Sequence, residues 1–164
     1  MTNASSHTQG QGHGTSARDD VEIRRLIEGR QQAHHRKDAD AIASVFAADA
    51  VRYDLAPPLL HVGVDRREIE AWLATWKGPI LLDTRDLAIE VDGSLAVARG
   101  LTRMRGHKVD DPSREIDLWF RTTVVLKKMD TRWHIVHEHA SVPFYMDGSL
   151  RAAVDLKPEA ATRH

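Results

Sequence analysis

Residues 115–142 read EIDLWFRTTVVLKKMDTRWHIVHEHASV, and the fold is decided there. Successive side chains of a strand point to opposite sides. Ile116, Leu118, Phe120, Thr122, Val124 and Leu126 therefore share one face, and Asp117, Trp119, Arg121, Thr123 and Val125 share the other. Met129-Asp130-Thr131 interrupts the pattern, so the stretch predicts two long strands joined by a turn. One face is apolar. The other carries an acid, a base, a hydroxyl and an indole, which is odd for a merely solvated surface. The return strand adds His137, Glu138 and His139, where valine or isoleucine would be the default. The hairpin reads as one wall of a small-molecule pocket.

The composition bounds what surrounds it. At 164 residues the chain suggests a single domain able to bury a real core. Hydrophobic residues at 41% and charged ones at 29% are ordinary for a globular protein. A formal charge of -1 offers no electrostatic case for nucleic acid or an acidic membrane surface. Without cysteine there is no disulfide, thiol nucleophile or zinc-thiolate site. No apolar run approaches the roughly 20 residues of a membrane helix. Residues 1–18 read as a disordered polar tail with no secretion signal, and a cytoplasmic location is expected.

Upstream of the hairpin, Asp19 or Asp20 is placed to cap a first helix, with Val21, Ile23, Leu26, Ile27 and Ala33 as its apolar stripe. A shorter helix is predicted over 38–46 and a short strand over 50–54. Asp65 followed by Glu68 resembles a capping box for a third helix, with Ile69, Trp72, Leu73 and Trp76 at helical spacing up to Gly78-Pro79. Strands over 80–91 and 95–105 flank Asp92-Gly93, a hairpin signal. Helices followed by antiparallel strands predict an α+β fold, with helices on one face of a curved sheet. The domain is expected over 19–146, with a C-terminal extension over 147–164.

This order, with KDADAIASVFAADAVRYD near the front and DTRWHIVHEHASVPF near the end, resembles the nuclear transport factor 2-like superfamily. It looks most like the SnoaL-like and ketosteroid-isomerase-like branch. The resemblance implies a conical fold, with three N-terminal helices packed on a strongly curved antiparallel or mixed sheet around a cavity. It covers isomerases, polyketide cyclases, dehydratases, epoxide hydrolases and non-catalytic binding or assembly domains, so fold alone decides little. Ketosteroid isomerases set a general-base Asp at the end of the first strand, and Asp54 falls on that position. Their oxyanion donors would fall near Arg30 and near Thr122 or Thr123, and neither is retained, which argues against steroid isomerisation itself.

The candidate chemistry follows. Asp54, beside Tyr53 and before the apolar loop 55–60, is placed as a base, although an Asp that caps the next turn reads the same way. Arg121 and Glu138 are expected as cross-strand neighbours that bind an anionic or carbonyl group, or as a structural ion pair. His137 and His139 share a face and suit acid–base work, a structural role or metal ligation. Two ligands are too few for a metal site, and His34, His35 and His61 are not forced into one; a metal-dependent enzyme stays an alternative. Trp72, Trp76, Trp119 and Tyr145 suit a flat apolar ligand, with Tyr53, His61 and Thr123 beside them, although Trp72 and Trp76 equally fit ordinary core.

The resemblance turns Trp119, Arg121, Thr123, Glu138 and Ala140 toward the cavity. Ile116, Leu118, Phe120, Val124 and Leu126 would then form a convex face covered by a second subunit, so a homodimer is expected. The hydrophobic-inside rule alone favours the reverse, and a one-residue register difference exchanges the two. The expected function is binding of a small, largely apolar carbonyl- or hydroxyl-bearing molecule without an organic cofactor. Proton-transfer chemistry in that pocket is the leading reading, and a non-catalytic binding or oligomerisation domain the second.

Overall fold

The computed structural model describes residues 12–159. In chain order it holds α1 (Gly12–Arg36), α2 (Ala39–Ser44), β1 (Phe46–Tyr53), β2 (His61–Val62), α3 (Arg66–Ala74), β3 (Trp76–Asp92), β4 (Leu95–Lys108), β5 (Glu115–Met129) and β6 (Arg132–Ser141). The six strands form one sheet in the order β2-β1-β6-β5-β4-β3. Neighbours are antiparallel except β1 and β6, which run parallel. The α+β class and the mixed sheet agree with expectation. Of the three helices, α2 is only 6 residues long. No helix among the described residues is long and apolar enough to cross a membrane.

Local signals account for most boundaries. The Asp65 side chain accepts a hydrogen bond from Arg67 N at 2.8 Å, which satisfies an otherwise free amide at the start of α3. Asp130 and Thr131 take φ values of 47° and 72°, the left-handed pair of a two-residue hairpin turn between Met129 and Arg132. Between β3 and β4 the turn is Gly93-Ser94, because Asp92 still pairs with Leu95. Several boundaries differ from expectation. α2 ends at Ser44 and β1 begins at Phe46, whereas the helix was expected to reach 46 and the strand to start at 50. α1 begins at Gly12, so the expected disorder of residues 12–18 is not found, and residues 1–11 of that tail lie outside the described residues. Asp19 is not a cap: 2% exposed, it accepts from Trp133 Nε1 at 3.1 Å and from Lys128 Nζ at 2.6 Å. Trp76 opens β3 rather than extending α3.

The interior is packed at two ends and hollow between them. Ile23, midway along α1, joins Phe46, Leu126, Trp133 and Ile135 in one apolar cluster. Ala33, near its end, joins Ile42, Leu73, Trp76 and Ile80 in another. Irregular pairing bends the sheet between them. Register shifts fall between Lys77 and Leu81 and between Arg85 and Ala88, where Asp86 takes φ 56°. Gly100 lies opposite the second shift; a Cβ there would sit 2.8 Å from Thr84 Cγ2 and 3.0 Å from the Arg85 carbonyl oxygen. Such bulges bend and twist a strand pair, and the lack of a side chain lets the two backbones approach.

A further bulge decides which face of the hairpin looks inward. From the turn back to Leu126↔Ile135 the pairing is regular, but the next pair is Val125↔His137, which leaves Val136 unpaired. Without that extra residue Thr123 would sit opposite Glu138. With it, Val124 does. The even face of β5, including Ile116, Leu118, Phe120 and Thr122, therefore lines the hollow together with Glu138 and Ala140. Trp119, Arg121 and Thr123 point to the other side, opposite to expectation. The apolar face is the inner one, so it is not a convex surface that needs a second subunit. Beyond β6 the chain folds back: Phe144 bridges Ala152, and Lys157 Nζ meets Asp117 on the outer face at 2.8 Å.

Candidate functional site

The hollow has a volume of about 560 Å³ and is lined mainly by apolar side chains from α1, α3, β3, β4 and β5. That size suits a small organic molecule. Two charged groupings project into it.

The first lies where β1 ends. Alternation along β1 sends Arg52 and Asp54 to the inner side while Tyr53 points out. Strand β2 pairs His61 directly with Arg52, which brings an imidazole from nine residues further along the chain to the same place. Asp54 Oδ2 lies 3.3 Å from Arg52 Nη1 and 3.7 Å from His61 Nε2. The other ring nitrogen of His61 lies 4.0 Å from Glu68 Oε2 on α3. The Asp54 side chain is 30% exposed, so the carboxylate stands at the boundary between cavity and solvent. A carboxylate in contact with an imidazole can take a proton from a ligand and hand it on to solvent.

The second grouping is buried. Arg30 on α1 donates from both terminal nitrogens to the two carboxylate oxygens of Glu138 on β6, each at 2.8 Å. The guanidinium carbon stands 4.9 Å from the centre of the Phe46 ring, and Arg52 approaches the same ring at 5.8 Å. One turn along α1, His34 Nδ1 bonds the Arg30 carbonyl oxygen at 2.8 Å, and its ring meets Trp72 edge-on at 5.9 Å. Burial, with Arg30 adding to it, lowers the His34 pKa to about 4. The ring is therefore neutral at physiological pH.

Five of the sequence-predicted site residues line the hollow: Asp54, His61, Trp72, Trp76 and Glu138. The others lie elsewhere. Arg121 pairs across the strands with Ser141, not with Glu138, and is exposed on the outer face. Trp119 and Thr123 share that face, where Arg103 stands over the Trp119 ring at 5.7 Å. Tyr53, His137 and His139 form an outer aromatic group, with His137 and His139 edge-on to Tyr53 at 4.9 and 5.6 Å. His137 Nδ1 also bonds the Val51 carbonyl oxygen at 2.9 Å. Among the described residues no set of three His, Cys, Asp or Glu side chains is placed to hold a metal ion. The Tyr145 hydroxyl donates to Asp155 in the C-terminal segment. Sequence reasoning missed Arg52, although its place two residues before Asp54 on a strand was enough to put both on one face.

Comparisons with known proteins agree with the fold. Residues 23–145 match the family model described as the SnoaL-like domain. No curated protein sequence matches the chain significantly. Among solved structures, an NTF2-like protein of unknown function from Pseudomonas putida is 32% identical, with a TM-score of 0.76 over 87% of this chain and 99% of that one. An NTF2-like superfamily protein from Salmonella enterica is 19% identical, with a TM-score of 0.69 over 81% and 96%. A protein from Novosphingobium aromaticivorans, provisionally named a scytalone dehydratase, is 16% identical, with a TM-score of 0.68 over 84% and 92%. The last two share the fold alone. The chain belongs to the SnoaL-like domain family, within the NTF2-like superfamily.

Proposed function

We propose that this protein is an enzyme that moves a proton on a small, largely apolar molecule bearing a carbonyl or hydroxyl group, without an organic cofactor. The contact of Asp54 with His61 on the wall of a mainly apolar 560 Å³ cavity carries this reading. Asp54 takes a proton from a carbon next to a carbonyl, or from water. His61 returns it or passes it to solvent, and Arg52 orients the carboxylate and balances its charge. Arg52 also takes over the anion-stabilising role expected of Arg121, which faces away. Isomerisation, aldol-type cyclisation, dehydration and hydrolysis all fit this machinery. The provisional name of the Novosphingobium protein favours dehydration among them. A merely binding domain would not need a carboxylate–imidazole contact at the cavity wall.

The test uses 2-tetralone, a bicyclic ketone with acidic hydrogens beside its carbonyl, in deuterated water. The protein is expected to speed exchange at C1, read by NMR. Asp54→Asn should lose about 10²- to 10⁴-fold of that rate with its melting temperature nearly unchanged, the usual range for removing a general base. An Asp54→Asn variant as fast as the parent would remove Asp54 from the base role.

A homodimer through the sheet belongs to the same proposal, but on a different surface. The apolar even face of β5 is occupied by the cavity, so a second subunit would have to use the outer face around Trp119, Arg121 and Thr123. Light scattering should return twice the 18.4 kDa chain mass. A monomer mass at micromolar concentration would end that part.

A further inference from the structure

One polar set in the cavity wall belongs to neither charged grouping. Gln31 on α1 and Thr84, Thr102 and Thr122 on β3, β4 and β5 form a hydrogen-bonded row, and all four line the hollow. Gln31 Nε2 donates to Thr84 Oγ1 at 2.7 Å. The Thr84 and Thr102 hydroxyls meet at 3.3 Å, and the Thr122 hydroxyl donates to Thr102 Oγ1 at 2.9 Å. Thr102, at the centre, is 7% exposed.

Counting hydrogens shows what the row lacks. Each threonine hydroxyl has one hydrogen to donate and two lone pairs. Three hydroxyls supply three hydrogens, and the two hydroxyl–hydroxyl contacts use two of them. If Thr84 donates to Thr102, the Thr102 hydrogen is left over; if Thr102 donates, the Thr84 hydrogen is. Either way one O–H in the cavity wall finds no protein acceptor among the described residues. A buried donor without a partner is unfavourable, so a ligand oxygen there gains a hydrogen bond that an apolar ligand forfeits.

The sheet register relates this row to Asp54. Thr122 pairs with Ala140 on β6, and the parallel pairing of Tyr53 with His139 puts Asp54 beside Ala140. Thr122, Ala140 and Asp54 thus lie side by side across the inner face. Two strand spacings, about 10 Å, separate the Thr122 backbone from Asp54. Thr102 and Thr84, one of which holds the spare hydrogen, lie one and two strands further off.

We propose that the Gln31–Thr84–Thr102–Thr122 row is the oxygen-recognition subsite of the cavity. Its spare hydroxyl donates to the carbonyl or alcohol oxygen of a ring ketone or cyclic alcohol. The subsite lies across β5 and β6 from Asp54. The role given to Asp54 rests on the proton-transfer reading above; the binding step does not.

The test compares 2-tetralone with tetralin, the same skeleton without the oxygen, by calorimetric titration of the full chain. The parent should bind the ketone about tenfold more tightly, the size expected for one satisfied buried donor. The combined variant Thr84→Val, Thr102→Val, Thr122→Val keeps the β-branched shape without hydroxyls and should lose that preference. Thr84→Ser, Thr102→Ser, Thr122→Ser should keep it. Equal binding of the two probes by the parent, or an undiminished preference in the valine set, would overturn the subsite. Should the valine set not fold, threonine-methyl NMR of the parent decides. Ketone-specific shifts at the three threonines support the subsite, and equal shifts with tetralin overturn it. Asp54→Asn separates the two readings. Ketone preference retained with exchange lost supports both; exchange retained in that variant removes the base and leaves the subsite standing.

Discussion

Glu138→Ala is expected to lower the unfolding free energy by about 3–5 kcal/mol, the range for removing one partner of a buried ion pair. The side chains of Arg30 and Glu138 are 20% and 8% exposed, and both terminal nitrogens of Arg30 are committed to the carboxylate. Without that carboxylate, the guanidinium keeps the Phe46 ring face as its nearest compensation. Cation–ring attraction is worth only about 0.5–2 kcal/mol, too little to offset the loss. Since domains of this kind are stable by only about 5–15 kcal/mol, the variant should unfold at markedly lower urea. Replacing the pair together, Arg30→Met with Glu138→Leu, removes both charges and keeps the volume. That variant should recover most of the loss, because well-packed apolar side chains often match a buried pair. Urea unfolding of the parent, the two single variants and the double variant gives the coupling directly. A loss below about 1 kcal/mol for Glu138→Ala would mean that Arg30 reaches solvent once freed.

The same pair marks where the sequence stops being readable. The fold was legible because its signals are local: an apolar alternation over β5, turn residues at 130 and 131, an Asp cap before α3. Asp54 was legible through its position at the end of β1. The partner of Glu138 was not, since Arg30 lies 108 residues earlier, on a helix that packs across the sheet. His61 drew attention as one of several histidines and as a candidate pocket residue, but not as a partner of Asp54; the two-residue pairing of β2 with β1 makes it that neighbour. The hairpin's inner face failed for one identifiable reason. Period-two alternation carries no mark for an unpaired residue such as Val136, yet one extra residue exchanges the faces of everything beyond it. Hydrophobicity by itself pointed the right way on β5, because burial of five apolar side chains outweighs a positional analogy. The start of α1 was also hidden: Gly12, His13 and Gly14 have weak intrinsic helix propensity, so no local signal marked a helix there.

His34 should make stability fall as pH drops from about 6.5 toward 4. In the folded chain burial keeps the ring neutral down to about 4, whereas in the unfolded chain it takes its proton near 6.5. Between those values the unfolded state binds more protons, so acid favours unfolding; above 6.5 neither state is protonated and the contribution is flat. The shift corresponds to at most about 3 kcal/mol once pH 4 is reached. The groups facing the ring divide. Arg30 repels an added charge, whereas the bond to the Arg30 carbonyl oxygen and the Glu138 carboxylate favour it; burial, the largest effect, outweighs them. Two carboxylates titrate beneath the window: Asp19, held low chiefly by its bond to Lys128, and Asp117, held well below the ordinary range by Arg103 and Lys157. His34→Asn keeps a group able to bond the Arg30 carbonyl but cannot titrate. Urea unfolding at pH 7.5, 6, 5 and 4.5 should show the parent losing stability faster than the variant at each step below 6.5. Parallel losses in the two proteins would place the proton elsewhere, and a ring that protonates freely in the fold would have to lie in water rather than between Trp72 and the cavity.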